Sequence, residues 1–199
     1  MNTMQQALQH LLTFAQQEFA ASPSSLGPRT ANYLANLANI SATPALNASN
    51  STQVPLANSL TGIDDPRLCQ TLTLLLPKLA WVTQGDFKTS DRIDRAYFEL
   101  IGGPDALIQH PEFRMGFYWQ EANSLYPSHR HNALELYYIL SGTALWQRGQ
   151  GEYKPQPPGN SFDHLDRLDH STKTTSEDLL TLWAWHGDIT WDSYSMDAA

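Results

Sequence analysis

Apolar residues recur every three or four positions through the first part of the chain. Leu8, Leu11, Leu12, Ala15 and Phe19 keep that spacing, so residues 2–21 predict an amphipathic helix with one stripe packed on the body of the protein. Pro23 and Pro28 then break it, and residues 30–40 predict a second short helix. Residues 41–59, rich in Ala, Asn, Ser, Thr and Pro, read as a loop and as the most mobile part. Leu68, Leu72, Leu75, Leu76 and Leu79 restore the helical period over 66–82, where Pro77 kinks or divides the helix, and Ile93, Ala96, Tyr97 and Leu100 carry it over 91–101. From Phe113 onward the texture changes to short alternating segments separated by Gly and Pro, at 113–121, 135–140, 143–148, 153–156 and 179–186. This spacing predicts a small antiparallel barrel or sandwich. The fold expected is mainly β with a helical N-terminal half: helices over 1–105 packed on a barrel over 106–199, in one structural domain.

Composition narrows the function. With 199 residues, 41% hydrophobic and 11% aromatic, the chain can bury one real core. A net charge of −8 and a pI near 5.2 leave no Lys/Arg stripe to neutralise phosphates, which excludes nucleic acid and disfavours polyanionic ligands. Residues 1–22 lack the basic start and continuous apolar run of a secretory signal, and no stretch is apolar for long enough to span a bilayer, so a soluble, cytoplasmic protein without a membrane partner is expected. Cys69 stands alone, which removes an internal disulfide and a thiolate cluster from consideration; it reads as a small buried residue on a helix. Gly149-Gln150-Gly151 reads as a hairpin turn, because the lysine and following helix of a phosphate loop are missing. Oligomeric state stays open, a homodimer included.

The chemistry concentrates in residues 126–142. His129 and His131 are two apart, so on an extended strand both imidazoles leave the same face, and Glu135 and Tyr137 repeat that spacing on what should be the next strand of a hairpin. Folding one pair against the other makes a pocket of nitrogen and oxygen ligands suited to a borderline divalent ion such as Zn, Fe or Mn.

These residues resemble the first motif of the cupins, double-stranded barrels marked by His-x-His, three residues, Glu, six residues, Gly; here the positions are His129, His131, Glu135 and Gly142. Counting the second cupin motif from Gly159 brings its histidine to His170, although Leu165 and Arg167 stand where the motif has proline and glycine. The resemblance implies a metal held by His129, His131, Glu135 and His170. His164 is the rival for the last place, and otherwise an exposed or supporting residue. Asp163, Asp166 and Asp169 nearby either orient a ligand imidazole or are solvated loop charges.

Tyr126 and Tyr137 beside that motif, Ala144-Leu145-Trp146, and the aromatic run 182–188 resemble the small cupin lyases of dimethylsulfoniopropionate, the DddQ-like group, best over residues 97–188. The resemblance implies a zwitterionic sulfonium substrate split into dimethyl sulfide and acrylate with a bound divalent metal and a tyrosine base. Tyr137, two residues after Glu135 on the ligand face, is the candidate base, and Tyr126 either hydrogen-bonds the substrate carboxylate or supports the base. A sulfonium has no donors, so aromatic faces should hold it, and Tyr118, Trp119, Trp183 and Trp185 are available, each also readable as an ordinary core residue. A cupin dioxygenase acting on a small organic acid and a non-catalytic metabolite-binding cupin use the same ligand set and stay open.

Overall fold

The computed structural model describes residues 3–37, 54–83 and 93–196. Residues 38–40 of the second predicted helix, 41–53 of the predicted loop and 91–92 lie outside them.

The helical layer follows from capping as much as from apolar spacing. Helix α1, Thr3–Ala20, buries the predicted stripe of Leu8, Leu11, Leu12, Ala15 and Phe19, with Ala7 beside it. Helix α2, Leu26–Leu37, begins earlier than residue 30, because the Ser24 hydroxyl accepts the Leu26 N–H at 3.1 Å and Pro28 falls in the first turn, where its missing N–H costs nothing. Pro28 therefore starts a helix instead of breaking one. Ala57–Thr61, which begins inside the expected loop and runs past its end, forms the short helix α3. Helix α4, Pro66–Leu75, is capped by the Asp65 carboxylate, which accepts from the N–H groups of Arg67 and Leu68, and it tightens into a 3₁₀ turn, Leu76–Lys78, at Pro77. Cys69 on α4 is only partly buried.

Eleven strands follow among the described residues: β1 Arg95–Gly102, β2 Ile108–Gln109, β3 Phe113–Gln120, β4 Leu125–Arg130, β5 Leu134–Ser141, β6 Ala144–Arg148, β7 Lys154–Gln156, β8 Ser161–His164, β9 His170–Thr174, β10 Leu179–His186 and β11 Ser195–Met196. They form a six-stranded sheet in the order β2-β1-β3-β10-β5-β8 and a five-stranded sheet in the order β11-β4-β9-β6-β7. This is the cupin architecture with helices laid on one sheet.

Residue parity divides the interior in two. Phe113, Met115, Phe117 and Trp119 of β3, Leu136, Tyr138 and Leu140 of β5, and Leu180, Leu182 and Ala184 of β10 face the helices. The alternate residues, among them Tyr118, Tyr137, Ile139, Trp183 and Trp185, face the inside of the barrel. Strand β10 is buried on both faces, which is why residues 179–186 read as an almost unbroken apolar run.

Residues 91–101 correct the sequence reading. They were expected to be helical, but the described part from Arg95 is strand β1, paired antiparallel with β3 from Arg95↔Gln120 to Ile101↔Met115. Ala96, Phe98 and Leu100 bury toward the helices while Tyr97 faces the barrel interior. With apolar groups on both faces, a period of two also produces three- and four-residue coincidences. The barrel sheet thus takes its first strand from residues below 105.

His186, at the end of β10, shows how tightly the helical layer is seated. Its Nε2 lies 2.8 Å from the Thr30 hydroxyl of α2, and its ring packs on Phe113 and Tyr33. Burial, with the Arg29 charge adding to it, pushes this imidazole down to about 4. An unfolded histidine protonates near ~6.5, so below that pH the unfolded chain binds a proton that the folded chain refuses. Stability is full above about pH 6.5 and falls as the pH drops toward 4, by up to about 3 kcal/mol from this group. Urea midpoints measured across that window should drop more steeply for the wild type than for His186→Gln; parallel curves would contradict the assignment.

Candidate metal centre

The expected hairpin is instead a meeting of two sheets. Strand β4, carrying His129, lies in the five-stranded sheet, and β5, carrying Glu135 and Tyr137, lies in the six-stranded sheet. His131 sits just past the end of β4. The histidines and Glu135 therefore approach across the barrel and not as cross-strand neighbours. Strand β9 brings His170 directly opposite His129, and β8 brings His164 opposite Glu135.

His131, Glu135 and His170 each present a ligand atom within 4.8 Å of the others, and all three are buried. The nitrogens are already oriented. Nδ1 of His129 lies 2.9 Å from the Pro127 carbonyl, Nδ1 of His131 3.0 Å from that of Ala133, and Nδ1 of His170 2.7 Å from that of Leu168. A carbonyl oxygen only accepts, so each Nδ1 carries a proton and each ring turns its Nε2 the other way. Nε2 of His131 and of His170 then stand 3.2 and 3.3 Å from Glu135 Oε2. Two imidazole nitrogens and a carboxylate oxygen converging on one buried point are a donor set that fits a divalent ion. Oε1 of the same carboxylate accepts from the Trp185 indole at 2.8 Å. Burial opposes the Glu135 charge, yet the imidazoles of His131 and His170 hold its carboxyl well below the ordinary range.

His129 adjoins this trio, its ring 4.1 Å from that of His170, and its imidazole is pushed well below the usual value by burial and then by His170. His164 differs from the other three. It is fully buried, so its reading as an exposed residue is corrected; it stacks on His170 at 4.2 Å and 11°, and neither ring nitrogen has a hydrogen-bond partner. Two rings stacked in parallel cannot both aim an in-plane lone pair at one ion. Without the carbonyl bond that orients the others, His164 packs against the cluster.

His131 and Glu135 open into a narrow cavity whose walls are almost entirely aromatic. Tyr126 stacks on His129 at 3.9 Å, Tyr137 packs on Trp146 at 4.5 Å and accompanies Glu135 on β5, and Tyr118 hydrogen-bonds Gln120 at 2.8 Å. All three phenols are pushed well above their ordinary value by burial, Tyr137 further by Glu135 and Tyr126 further by Tyr194. Trp183 and Trp185 line the cavity, whereas Trp119 has the opposite parity and lies in the core beneath the helices. Tyr97, Trp191 and Tyr194 also line it, though nothing in their local pattern marked them. Arg95, buried and equally unforeseen, holds its guanidinium 4.9 Å from the Tyr126 ring.

Comparison with known proteins identifies the family. The family model for dimethylsulfoniopropionate lyase matches residues 29–181. The chain belongs to this family. The dimethylsulfoniopropionate lyase DddQ of Ruegeria pomeroyi DSS-3 is 31% identical over 109 residues, a stretch covering 53% of each chain, so the match spans about half the length of that curated relative. A solved structure from work on the lyases RdDddP and RnDddQII superposes with a TM-score of 0.70 at 22% identity, covering 98% of this chain and 100% of its own. The crystal structure of DddQ from the same Ruegeria strain gives a TM-score of 0.65 at 20% identity, covering 96% of this chain and 95% of its own. At these identities the superpositions show the fold.

Metal content separates the two candidate histidines. His131→Ala and His170→Ala should each weaken metal retention by about tenfold or more, while His164→Gln stays near wild type, as measured by metal analysis after dialysis against a buffered ion. Loss of metal in His164→Gln with retention in His170→Ala would reverse the assignment.

Proposed function

We propose that the chain is a metal-dependent carbon–sulfur lyase that cleaves dimethylsulfoniopropionate to dimethyl sulfide and acrylate by β-elimination. The observation that carries this reading is one cavity in which the His131, Glu135 and His170 cluster, the phenols of Tyr126 and Tyr137, and the indoles of Trp183 and Trp185 share a lining or border it. A Zn, Fe or Mn ion held by those ligands, with His129 alongside, would supply a Lewis acid for the substrate carboxylate, a contribution of several kcal/mol.

The remaining work falls to side chains. The substrate loses a proton from the carbon beside its carboxylate, the C–H electron pair becomes the new C=C bond, and the C–S pair departs with sulfur. Tyr137 takes that proton. Its burial and the neighbouring Glu135 disfavour the phenolate, so the base is effective only when positive charge occupies the ligand cluster. Tyr126, fixed between the His129 ring and the Arg95 guanidinium, orients the substrate carboxylate. Trp183, Trp185 and the Tyr118 ring face the sulfonium, each cation–π contact contributing about 0.5–2 kcal/mol. Among the described residues no helix is long and apolar enough to cross a membrane; a cytoplasmic location fits the lone cysteine.

Tyr137→Phe should lower acrylate formation by about a hundredfold or more while metal content stays at the wild-type level, measured by chromatography of acrylate and metal analysis on the same sample. Near-normal turnover in the phenylalanine variant would move the base elsewhere.

A further inference from the structure

The cavity's outer wall comes from the C-terminal segment, which the reaction scheme above leaves without a role. A 3₁₀ turn, Trp191–Ser193, leads into β11, and β11 pairs with β4 at Ser195↔Arg130 and Met196↔His129. The segment is pinned again where the Asn132 N–H donates to Ser193 Oγ at 3.1 Å and the Asn132 side-chain amide donates to Asp188 at 2.8 Å. It is thereby registered on the strand that carries His129.

This turn delivers Trp191 into an array of indoles. Its ring centre lies 4.5 Å from Trp185, 6.2 Å from Trp183 and 5.3 Å from Tyr97. The three indole N–H groups are all spent elsewhere: Trp183 donates to the Phe117 carbonyl at 3.1 Å, Trp185 to Glu135 Oε1 at 2.8 Å and Trp191 to Glu99 Oε2 at 3.4 Å. Glu99 is fixed by Arg114, whose Nη1 lies 2.7 Å from both carboxylate oxygens; Arg114 stands 5.7 Å from the Trp191 ring with its charge matched by that pair. An indole whose N–H donates to a carboxylate gains electron density on its ring, and a ring with no free N–H offers a ligand only carbon. Such indole walls favour a cation without hydrogen-bond donors over an ammonium, because they replace none of the hydrogen bonds an ammonium loses with its hydration.

We propose that Trp191 is a specificity-determining residue: with Trp183, Trp185 and Tyr97 it forms a box for an alkylated onium head, and its indole limits the size of the alkyl groups. The substrate in this statement rests on the lyase reading, but the box does not require turnover. Trimethylsulfonium, which has no carboxylate to engage the metal cluster, isolates it.

Titration of the metal-loaded protein with trimethylsulfonium, by calorimetry and tryptophan fluorescence, should show saturable binding. Trp191→Ala should raise its Kd by about 2- to 30-fold, the loss of one cation–π contact. Trp191→Leu, which fills the space without a π face, should weaken trimethylsulfonium binding similarly. In turnover assays the alanine variant should raise the kcat/KM of the diethyl analogue relative to dimethylsulfoniopropionate, and the leucine variant should leave that ratio near wild type. Absence of trimethylsulfonium binding to the wild type, or unchanged Kd and unchanged ratio in folded, metal-replete variants, would overturn the proposal. Trimethylsulfonium binding that depends on Trp191, in a protein that releases no dimethyl sulfide, would support the box and sink the lyase reading instead.

Discussion

A carboxylate buried among imidazoles organises this molecule. An isolated charge in an apolar interior costs more than the whole stability of a typical domain, so Glu135 persists there only because its surroundings supply compensating charge and hydrogen bonds. Trp185 donates to one oxygen and two imidazole nitrogens face the other. Those imidazoles are in turn fixed by backbone carbonyls at Pro127, Ala133 and Leu168. The cluster is thus built by strand β4 and by the turns that lead into β5 and β9, and its donor set is one that suits a divalent ion.

Strand parity distributes everything else. On β3, β5 and β10 one set of residues seals the sheet against the helices and the other set furnishes the cavity, so neighbouring residues such as Tyr118 and Trp119 serve unrelated ends. The helical layer thereby bears on the site through the sheet. Ser22 of the α1–α2 connection meets Ser161 at 2.8 Å and Ser24 hydrogen-bonds Asp163, both on β8, the strand that also carries His164. The C-terminal turn closes the cavity from a third side, through the pairing of β11 with β4.

Much of this was legible in the chain because short-range spacing was enough to carry it. The strand spacing singled out His131 and Glu135, which the fold gathers with His170, and the helical stripe of α1 matched its buried residues. What failed needed information from outside the local window. Strand β1 is covered on both faces, and this hid its period behind a helical one. The two halves of the first motif were expected to share a hairpin, but strand order depends on the pairing of β4 with β9 and β5 with β10, to which local spacing is blind. Trp119 was grouped with Tyr118 by proximity when parity separates them. Trp191 and Tyr194 stand in a polar tail, and only the return of β11 onto β4 brings them to the cavity.

X-ray absorption at the metal edge of the loaded protein tests the central claim most directly. The account predicts one ion per chain with an inner shell of imidazole nitrogen and carboxylate oxygen at about 2.0–2.2 Å, and imidazole scattering that diminishes in His170→Ala. A purely oxygen shell typical of a hydrated ion, or a nitrogen shell unchanged by that substitution, would contradict it.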